Sequence, residues 1–291
     1  MTKNALLICG LSALLMLGTA QAAEPAANTG SDTNGWKLVW SDEFDAPGLP
    51  DSSKWTYEEG FIRNNELQYY TRGRKENARV ENGMLVIESR LEKYPNPNYK
   101  AGASDARHGR EYAQYTSASV TTHGLHAWKH GRVEVRAKIP HGRGTWPAIW
   151  MLGTDQSAGW PSCGEIDIME FVGHDPNTIH GTIHTGKYNH VKGTQKGSQY
   201  HLKAPYDDFH VYAVEWDGEK MDFFVDNTNY FTFKNEHSGE AAWPFDKPQY
   251  LILNTAIGGA WGGVKGVDDA IFPQKFLIDY VRIYQKNGGV K

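Results

Sequence analysis

The chain has 291 residues, 40% of them apolar and 22% charged, with a formal net charge of −4 from 30 Lys plus Arg against 34 Asp plus Glu. That balance excludes a disordered tail and a polytopic membrane protein, and it removes the electrostatic case for nucleic acid, which calls for a strongly basic face. Aromatic residues make up 12%, beside 31 Gly and 13 Pro, a mixture that points to strands and turns more than to helices.

Residues 1–22 begin with Lys3, run apolar from Ala5 to Leu17 and close on Ala20-Gln21-Ala22, a small-x-small cleavage pattern. The expectation is a secretory signal peptide cut near Ala22, and hence a secreted or periplasmic protein. The apolar run is shorter than the ~20 residues a span needs, so no membrane span is expected once it is removed. Cys9 lies inside the run and not just after the cut, which argues against a lipid-anchored Cys. Removal takes Lys3 and no acid, lowers the charge from −4 to −5, and leaves Cys163 as the lone cysteine. A lone Cys makes no internal disulfide and no Cys-based metal site. With no activating base beside it in the pattern, Cys163 is read as a small buried filler. Residues 23–35 are small and polar and read as a flexible lead-in; residues 36–287 are expected to form a single domain.

From residue 36 the dominant period is two. Arg79-Val-Glu-Asn-Gly-Met-Leu-Val-Ile87 reads as a hairpin around Asn82-Gly83. Over residues 131–139, Val133, Val135, Ala137 and Ile139 alternate with Arg132, Glu134, Arg136 and Lys138, the pattern of a half-buried strand. Residues 209–216 and 220–225 are two more strands, joined through Asp217-Gly218. Residues 249–254 have an apolar middle that suits an interior strand. Over 277–284, strict alternation places Leu277, Asp279, Val281 and Ile283 on one face and Ile278, Tyr280, Arg282 and Tyr284 on the other. No useful length shows a sustained 3.6-residue period. Many short strands with Gly/Asn/Asp turns predict one antiparallel sandwich or barrel.

Gly164-Glu-Ile-Asp-Ile-Met-Glu-Phe-Val172 carries three acids in six residues of a β-prone, otherwise apolar stretch. Three like charges there destabilise the strand by mutual repulsion and desolvation. Glu165 and Asp167 share a face, but a regular strand would turn Glu170 to the other layer. One inserted residue, a β-bulge with Met169 as the simplest candidate, would bring all three to one face. The outer Cα atoms would then lie roughly 13 Å apart, a span that inward-leaning Glu side chains could close to the ~5–5.5 Å of a double-displacement pair. Crowded carboxylates cannot all ionise, so one is pushed to keep a proton while another stays charged. The alternatives for such a string are a solvated face or a calcium ligand set. Trp146, Trp150 and Trp160, flat faces of the kind a sugar ring stacks on, lie just upstream and favour the catalytic reading.

Glu165-Ile-Asp-Ile-Met-Glu170 resembles the active-site signature of glycoside hydrolase family 16, in the bulged form of laminarinases. Six further blocks match that group in order: Trp40-Ser-Asp-Glu-Phe44, Asn64-Asn-Glu-Leu-Gln-Tyr-Tyr-Thr71, Gly142-Arg-Gly-Thr-Trp-Pro-Ala-Ile-Trp-Met-Leu152, His180-Gly-Thr-Ile-His184, Asn254-Thr-Ala-Ile-Gly-Gly-Ala-Trp261 and Ile278-Asp-Tyr-Val-Arg-Ile-Tyr284. The resemblance implies an all-β, concanavalin-like β-jelly-roll sandwich of two antiparallel sheets with a concave cleft. It implies retaining hydrolysis of internal β-1,3-glucosidic bonds in laminarin-like glucans without a catalytic cofactor. By position, Glu165 would be the nucleophile, Glu170 the acid/base, and Asp167 the group that orients Glu165 and separates the two Glu pKa values. Asn65, Arg110, Trp146, Trp150, Trp160, His184 and Trp261 would line the sugar subsites, with core support an equal reading for Trp150 and neighbour-orienting work a reading for Glu66. The surroundings of Arg110 carry extra residues relative to the simpler family pattern. His180 and His184 share a strand face, but no third ligand or H-E-x-x-H helix accompanies them, so no zinc is expected there. A structural calcium is implied at Glu43, the Gly83 carbonyl and Asp279, whose hard oxygens suit that ion. Competing readings are a non-catalytic, lectin-like glucan-binding sandwich and, within the fold, a hydrolase of mixed-linked β-1,3-1,4-glucan or galactan or a transglycosylase. A monomer is expected.

Overall fold

The computed structural model describes Met1 and residues 35–286. Residues 2–22 of the leader and all but the last residue of the 23–35 lead-in lie outside the described residues. Two sheets pack face to face and do not close into a barrel. One has the strand order Thr228–Lys234, Lys220–Val225, His210–Trp216, Gly131–Lys138, Gln274–Lys286, Met84–Pro95, Tyr112–Ser117, Gln68–Tyr70, with Trp36–Asp42 and Ala78–Glu81 pairing on its side. The other runs Lys196–His201, Thr178–His184, Glu165–Glu170, Thr145–Gly153, Gln249–Ile257, Ser119–Thr121, Thr56–Glu58. Pairing is antiparallel except between Gln68–Tyr70 and Tyr112–Ser117, which run parallel. The α-helical segments are four-residue turns, Ala106–Gly109 and Gly259–Gly262. Among the described residues no helix is long and apolar enough to cross a membrane.

The alternation read from the sequence is what packs the layers. Val133, Val135 and Ala137 are fully buried between the sheets while their charged neighbours face out. Asn82 and Gly83 both adopt positive φ, 55° and 72°, as the mirror-image turn of a two-residue hairpin demands. His210–Trp216 and Lys220–Val225 pair across the Asp217-Gly218 turn. Gln249–Ile257 is buried along its whole length.

The alternation over 277–284 fails at one point. Against Gly131–Lys138 the register slips between Ile278 and Tyr280, leaving Asp279 as a bulge residue. Ile278, Val281 and Ile283 therefore all point into the core, and the face assignment from strict period two is corrected: Leu277 and Asp279 do not share the face of Val281 and Ile283.

The seven-stranded sheet is two-faced. Ile149, Met151, Ile166, Ile168, Met169, Ile179, Ile183, Leu251 and Leu253 face the other sheet. On its opposite face Ala148, Trp150, Tyr250 and Ile252 form a separate apolar floor. Cys163 is a buried free thiol, as its filler role requires.

Candidate active site

Strand Glu165–Glu170 is the point where the two faces are forced apart. Opposite Thr145–Gly153, Asp167 pairs with Trp150 and Met169 with Ile149, so Ile168 has no partner. Opposite Thr178–His184, Asp167 pairs with Thr182 and Glu170 with His180, so Ile168 and Met169 together face Gly181. The bulge exists, and Ile168, not Met169, is the unpaired residue on the Thr145–Gly153 flank. Its consequence is that Ile166, Ile168 and Met169 all enter the core while Glu165, Asp167 and Glu170 share the outer face. Burying those three side chains contributes roughly 5–9 kcal/mol, which holds the strand in place against the desolvation of its acids.

Each outer glutamate has one indole donor. Trp160 Nε1 donates to Glu165 Oε2 at 2.9 Å, and Trp146 Nε1 donates to Glu170 Oε1 at 3.0 Å. Asp167 lies between them, 3% exposed, and among the described residues its Oδ2 accepts no hydrogen bond. His184 Nε2 is 3.4 Å from that atom and 3.7 Å from Glu165 Oε1. Burial raises the carboxyls of Glu165 and Glu170 from 4.5 to about 7 each; the indole donors pull both back toward ionisation, and Glu165 pushes Glu170 further up. Asp167 is driven well above its ordinary range by burial and by the two glutamates on either side. Burial, with His190 nearby, lowers His184 to about 4, so its imidazole is neutral at pH 7. The three acids share protons as one unit, an arrangement that can supply an acid and an anion side by side.

The walls come from loops. Trp261 sits edge-on to Trp146, ring centres 5.5 Å apart, and to His180 at 4.8 Å. Its loop is tied to the Asn64-Asn65 turn by Ala260 N donating to Asn64 O, 2.9 Å, and by the Glu66–Gly258 bridge. Asn64 and Asn65 both take left-handed backbone conformations, φ 54° and 52°, which asparagine tolerates. On the other side Trp160, 42% exposed, stands 5.0 Å from His190 and 6.0 Å from His184.

Trp146, Trp160, His184 and Trp261 are thus brought to the acids, and Asn65 to the wall beside Trp261. Trp150 is on the same face but 7% exposed. Its Nε1 donates to Asn254 Oδ1 at 2.7 Å, and Asn254 Nδ2 donates to the Tyr70 hydroxyl at 2.9 Å. It is the floor beneath the acids, the support reading offered for it. Arg110 is not a free donor to a sugar: its guanidinium donates to the carbonyls of Glu66, 2.5 Å, and Asn65, 3.3 Å, and lies 4.8 Å over Phe61. It braces the Asn65 turn. Glu66 accepts from Gln68 and Asn64, and Gln68 Oε1 accepts from Ile257 N, so Glu66 does orient its neighbours.

The sequence reading missed Arg63. Its guanidinium lies 4.8 Å over the Trp150 ring, pairs with Glu58, and favours the ionised form of Glu165. Arg63 adjoins the Asn64-Asn65 block, which is the one signal that could have drawn attention to it.

The calcium expectation does not fit the side chains. Glu43 accepts a two-pronged hydrogen bond from Arg282, 3.0 and 2.8 Å, and Asp279 accepts from Arg136 at 2.6 Å. Each acid offered to the cation already neutralises a guanidinium, so as they stand Glu43 and Asp279 form two surface ion pairs, Gly83 sits in a hairpin turn, and the calcium expectation is left without support.

The family model for glycosyl hydrolases family 16 matches residues 65–282. A beta-glucanase of Rhodothermus marinus is 51% identical over 260 residues, covering 86% of this chain and 85% of its own. The crystal structure of a laminarinase from the same organism superposes with a TM-score of 0.78 at 48% identity, over 87% of this chain and 98% of that one. A non-specific endo-beta-1,3(4)-glucanase crystallised with 1,3-beta-D-cellobiosyl-glucose at its active site gives a TM-score of 0.79 at 53% identity, over 87% and 96% of the two chains. With the all-β sandwich, the bulged acid strand and these matches together, the chain belongs to glycosyl hydrolases family 16 and is a glycoside hydrolase.

Proposed function

We propose that the chain is an endo-β-1,3-glucanase that cleaves internal bonds of laminarin-like glucan with retention of configuration. The observation that carries this is the pair Glu165 and Glu170 on one face of a bulged strand, each with its own indole donor, on either side of buried Asp167. In the first step Glu170, protonated, gives its proton to the glycosidic oxygen while the Glu165 carboxylate attacks the anomeric carbon. The leaving chain departs with the proton, and a glycosyl ester forms on Glu165. Glu170, now ionised, takes a proton from water, the water oxygen attacks the anomeric carbon, and Glu165 is released. Asp167, between the two, orients Glu165 and helps keep the proton affinities of the two glutamates apart. Trp146 and Trp261, edge to face, and Trp160 at the opposite side offer aromatic planes to the sugar rings.

A wider specificity has one specific support: the 53% identical structural relative is named a non-specific endo-beta-1,3(4)-glucanase. We therefore propose activity on mixed-linked β-1,3-1,4-glucan as a secondary property. Export from the cytoplasm is proposed on residues 1–22 alone and is checked by N-terminal sequencing of the mature protein.

The test is product analysis on laminarin and mixed-linked glucan. Internal cleavage with β-configured new ends is expected. Glu165→Gln and Glu170→Gln should each lose about 10²–10⁴-fold or more in kcat with unchanged folding. A folded Glu165→Gln retaining substantial activity refutes the assignment, and glucan binding without reducing-end release returns the lectin-like reading.

A further inference from the structure

We propose that Glu165, Asp167 and His184 form a binding site for a divalent transition-metal ion, with Zn²⁺ the best match to their donors, and that filling it shuts off hydrolysis. The inhibition half rests on the role given to Glu165 above; the binding half does not.

The strand register puts His184 directly across from Glu165, with Asp167 next along the same face. One ligand atom from each of the three lies within 4.8 Å of the others. Zinc–nitrogen and zinc–oxygen bonds of about 2.0–2.2 Å at tetrahedral angles set ligand atoms about 3.3–3.5 Å apart. His184 Nε2 stands 3.4 Å from Asp167 Oδ2 and 3.7 Å from Glu165 Oε1, so these two edges are within a few tenths of an ångström of such a cage, and the third lies within 4.8 Å. Asp167 Oδ2 is a buried acceptor with no hydrogen-bond partner, on a residue 3% exposed, and it is aimed at the imidazole. An orphan oxygen so placed is what a cation would satisfy.

Once the ion displaces their protons, two carboxylates and an imidazole balance a divalent charge. The partly open side of Glu165 leaves a fourth position for water. One nitrogen and two carboxylate oxygens suit zinc or cobalt, whereas magnesium prefers oxygen alone. His184 Nδ1 has no protein partner, so the outer hydrogen bond that tightens a dedicated zinc site is missing and a modest affinity is expected. Looking along the strand from His184 finds only His180; the remaining ligands come from the neighbouring strand. A bound ion would occupy the Glu165 oxygen that attacks the sugar and hold Asp167 away from its proton-sharing role.

The test uses the mature protein without a polyhistidine tag. Zn²⁺ and Co²⁺ are titrated by calorimetry and by the visible d–d absorption of low-coordinate Co²⁺. The expected result is one ion per chain, at least tenfold weaker binding in both His184→Asn and Asp167→Asn, unchanged binding in His237→Asn, whose exposed ring faces Glu219, and no response to Mg²⁺. Zn²⁺ should inhibit laminarin hydrolysis, EDTA should reverse it, and the inhibiting concentration should rise at least tenfold in His184→Asn relative to that variant's own uninhibited rate. Equal metal binding by wild type, His184→Asn and Asp167→Asn overturns the site. Binding with the expected pattern but no inhibition overturns the second half. Binding with that pattern in a protein that cleaves no laminarin leaves the site standing and removes the glucanase reading instead.

Discussion

The two indole donors give a way to tell the acid from the nucleophile. A hydrogen bond to an ionised carboxylate is worth about 1.5–3 kcal/mol, and a pH unit about 1.4 kcal/mol, so losing one raises a buried carboxyl's pKa by about 1–2 units. Trp160 is 42% exposed, and water takes over part of its bond to Glu165; about 0.5–1 unit is expected for Trp160→Phe. Trp146, less exposed, should give about 1 unit for Trp146→Phe. Glu165 works ionised, so a higher pKa there carries the acidic limb of kcat/KM against pH upward. Glu170 works protonated, so a higher pKa there carries the alkaline limb upward and broadens the profile. Because the carboxyls titrate as a coupled set, the informative quantity is the movement of one limb relative to the other. The assay is initial-rate hydrolysis of laminarin well below KM from about pH 4 to 9. Phe keeps an aromatic face for the sugar and removes the N–H donor together with part of the indole, so the limb positions, and not the absolute rate, carry the test. If Trp160→Phe moves the alkaline limb and leaves the acidic limb in place, the two glutamates have each other's roles. If neither variant moves either limb, the hydrogen bonds do not set the protonation states and the reasoning fails.

Three further outcomes follow from the same contacts. Glu170 holds its proton more tightly folded than unfolded, its pKa going from 4.5 to about 7, so its contribution to stability falls as pH rises through that window. Glu170→Gln should therefore be more stable than wild type at pH 8, by up to about 3 kcal/mol, and equal to it at pH 4; a Tm gain of the same size at both pH values refutes the linkage. Gly181 faces the bulge, and a Cβ on it would meet the Tyr230 hydroxyl at 2.3 Å and Phe223 at 3.2 Å. Gly181→Ala should cost about 1–3 kcal/mol. Because that hydroxyl is buried without a partner, Tyr230→Phe should be neutral or stabilising and should recover about 1–2 kcal/mol in the double variant by urea unfolding; simple additivity argues against the clash. With Glu43 and Asp279 each held by an arginine, EDTA should leave Tm unchanged in thermal unfolding, and a drop would restore the calcium expectation.

A feature of this fold is legible in the sequence when the interactions that fix it are local. The half-buried strand at Val133–Ala137 and the Asn82-Gly83 hairpin were readable because period two and turn chemistry act between near neighbours. The partners of the acids in the calcium trio were not readable, since Arg136 and Arg282 reach Asp279 and Glu43 from strands far away in the chain. Arg63 over Trp150, and the carboxylates beside His184, are likewise products of register and loop packing. The two bulges make the sharpest contrast. The one at Ile168 could be anticipated because without it Glu170 would point into an apolar core, and a lone buried carboxylate costs several kcal/mol. The one at Asp279 was not, although a regular strand would have set Asp279 beside Val281 and Ile283 in the core, because a single inward acid also reads as a polar residue satisfied by backbone donors. One buried acid can be absorbed by backbone donors, whereas several like charges forced into an apolar layer cannot, and for that reason such irregularities are easiest to read where acids are gathered for chemistry.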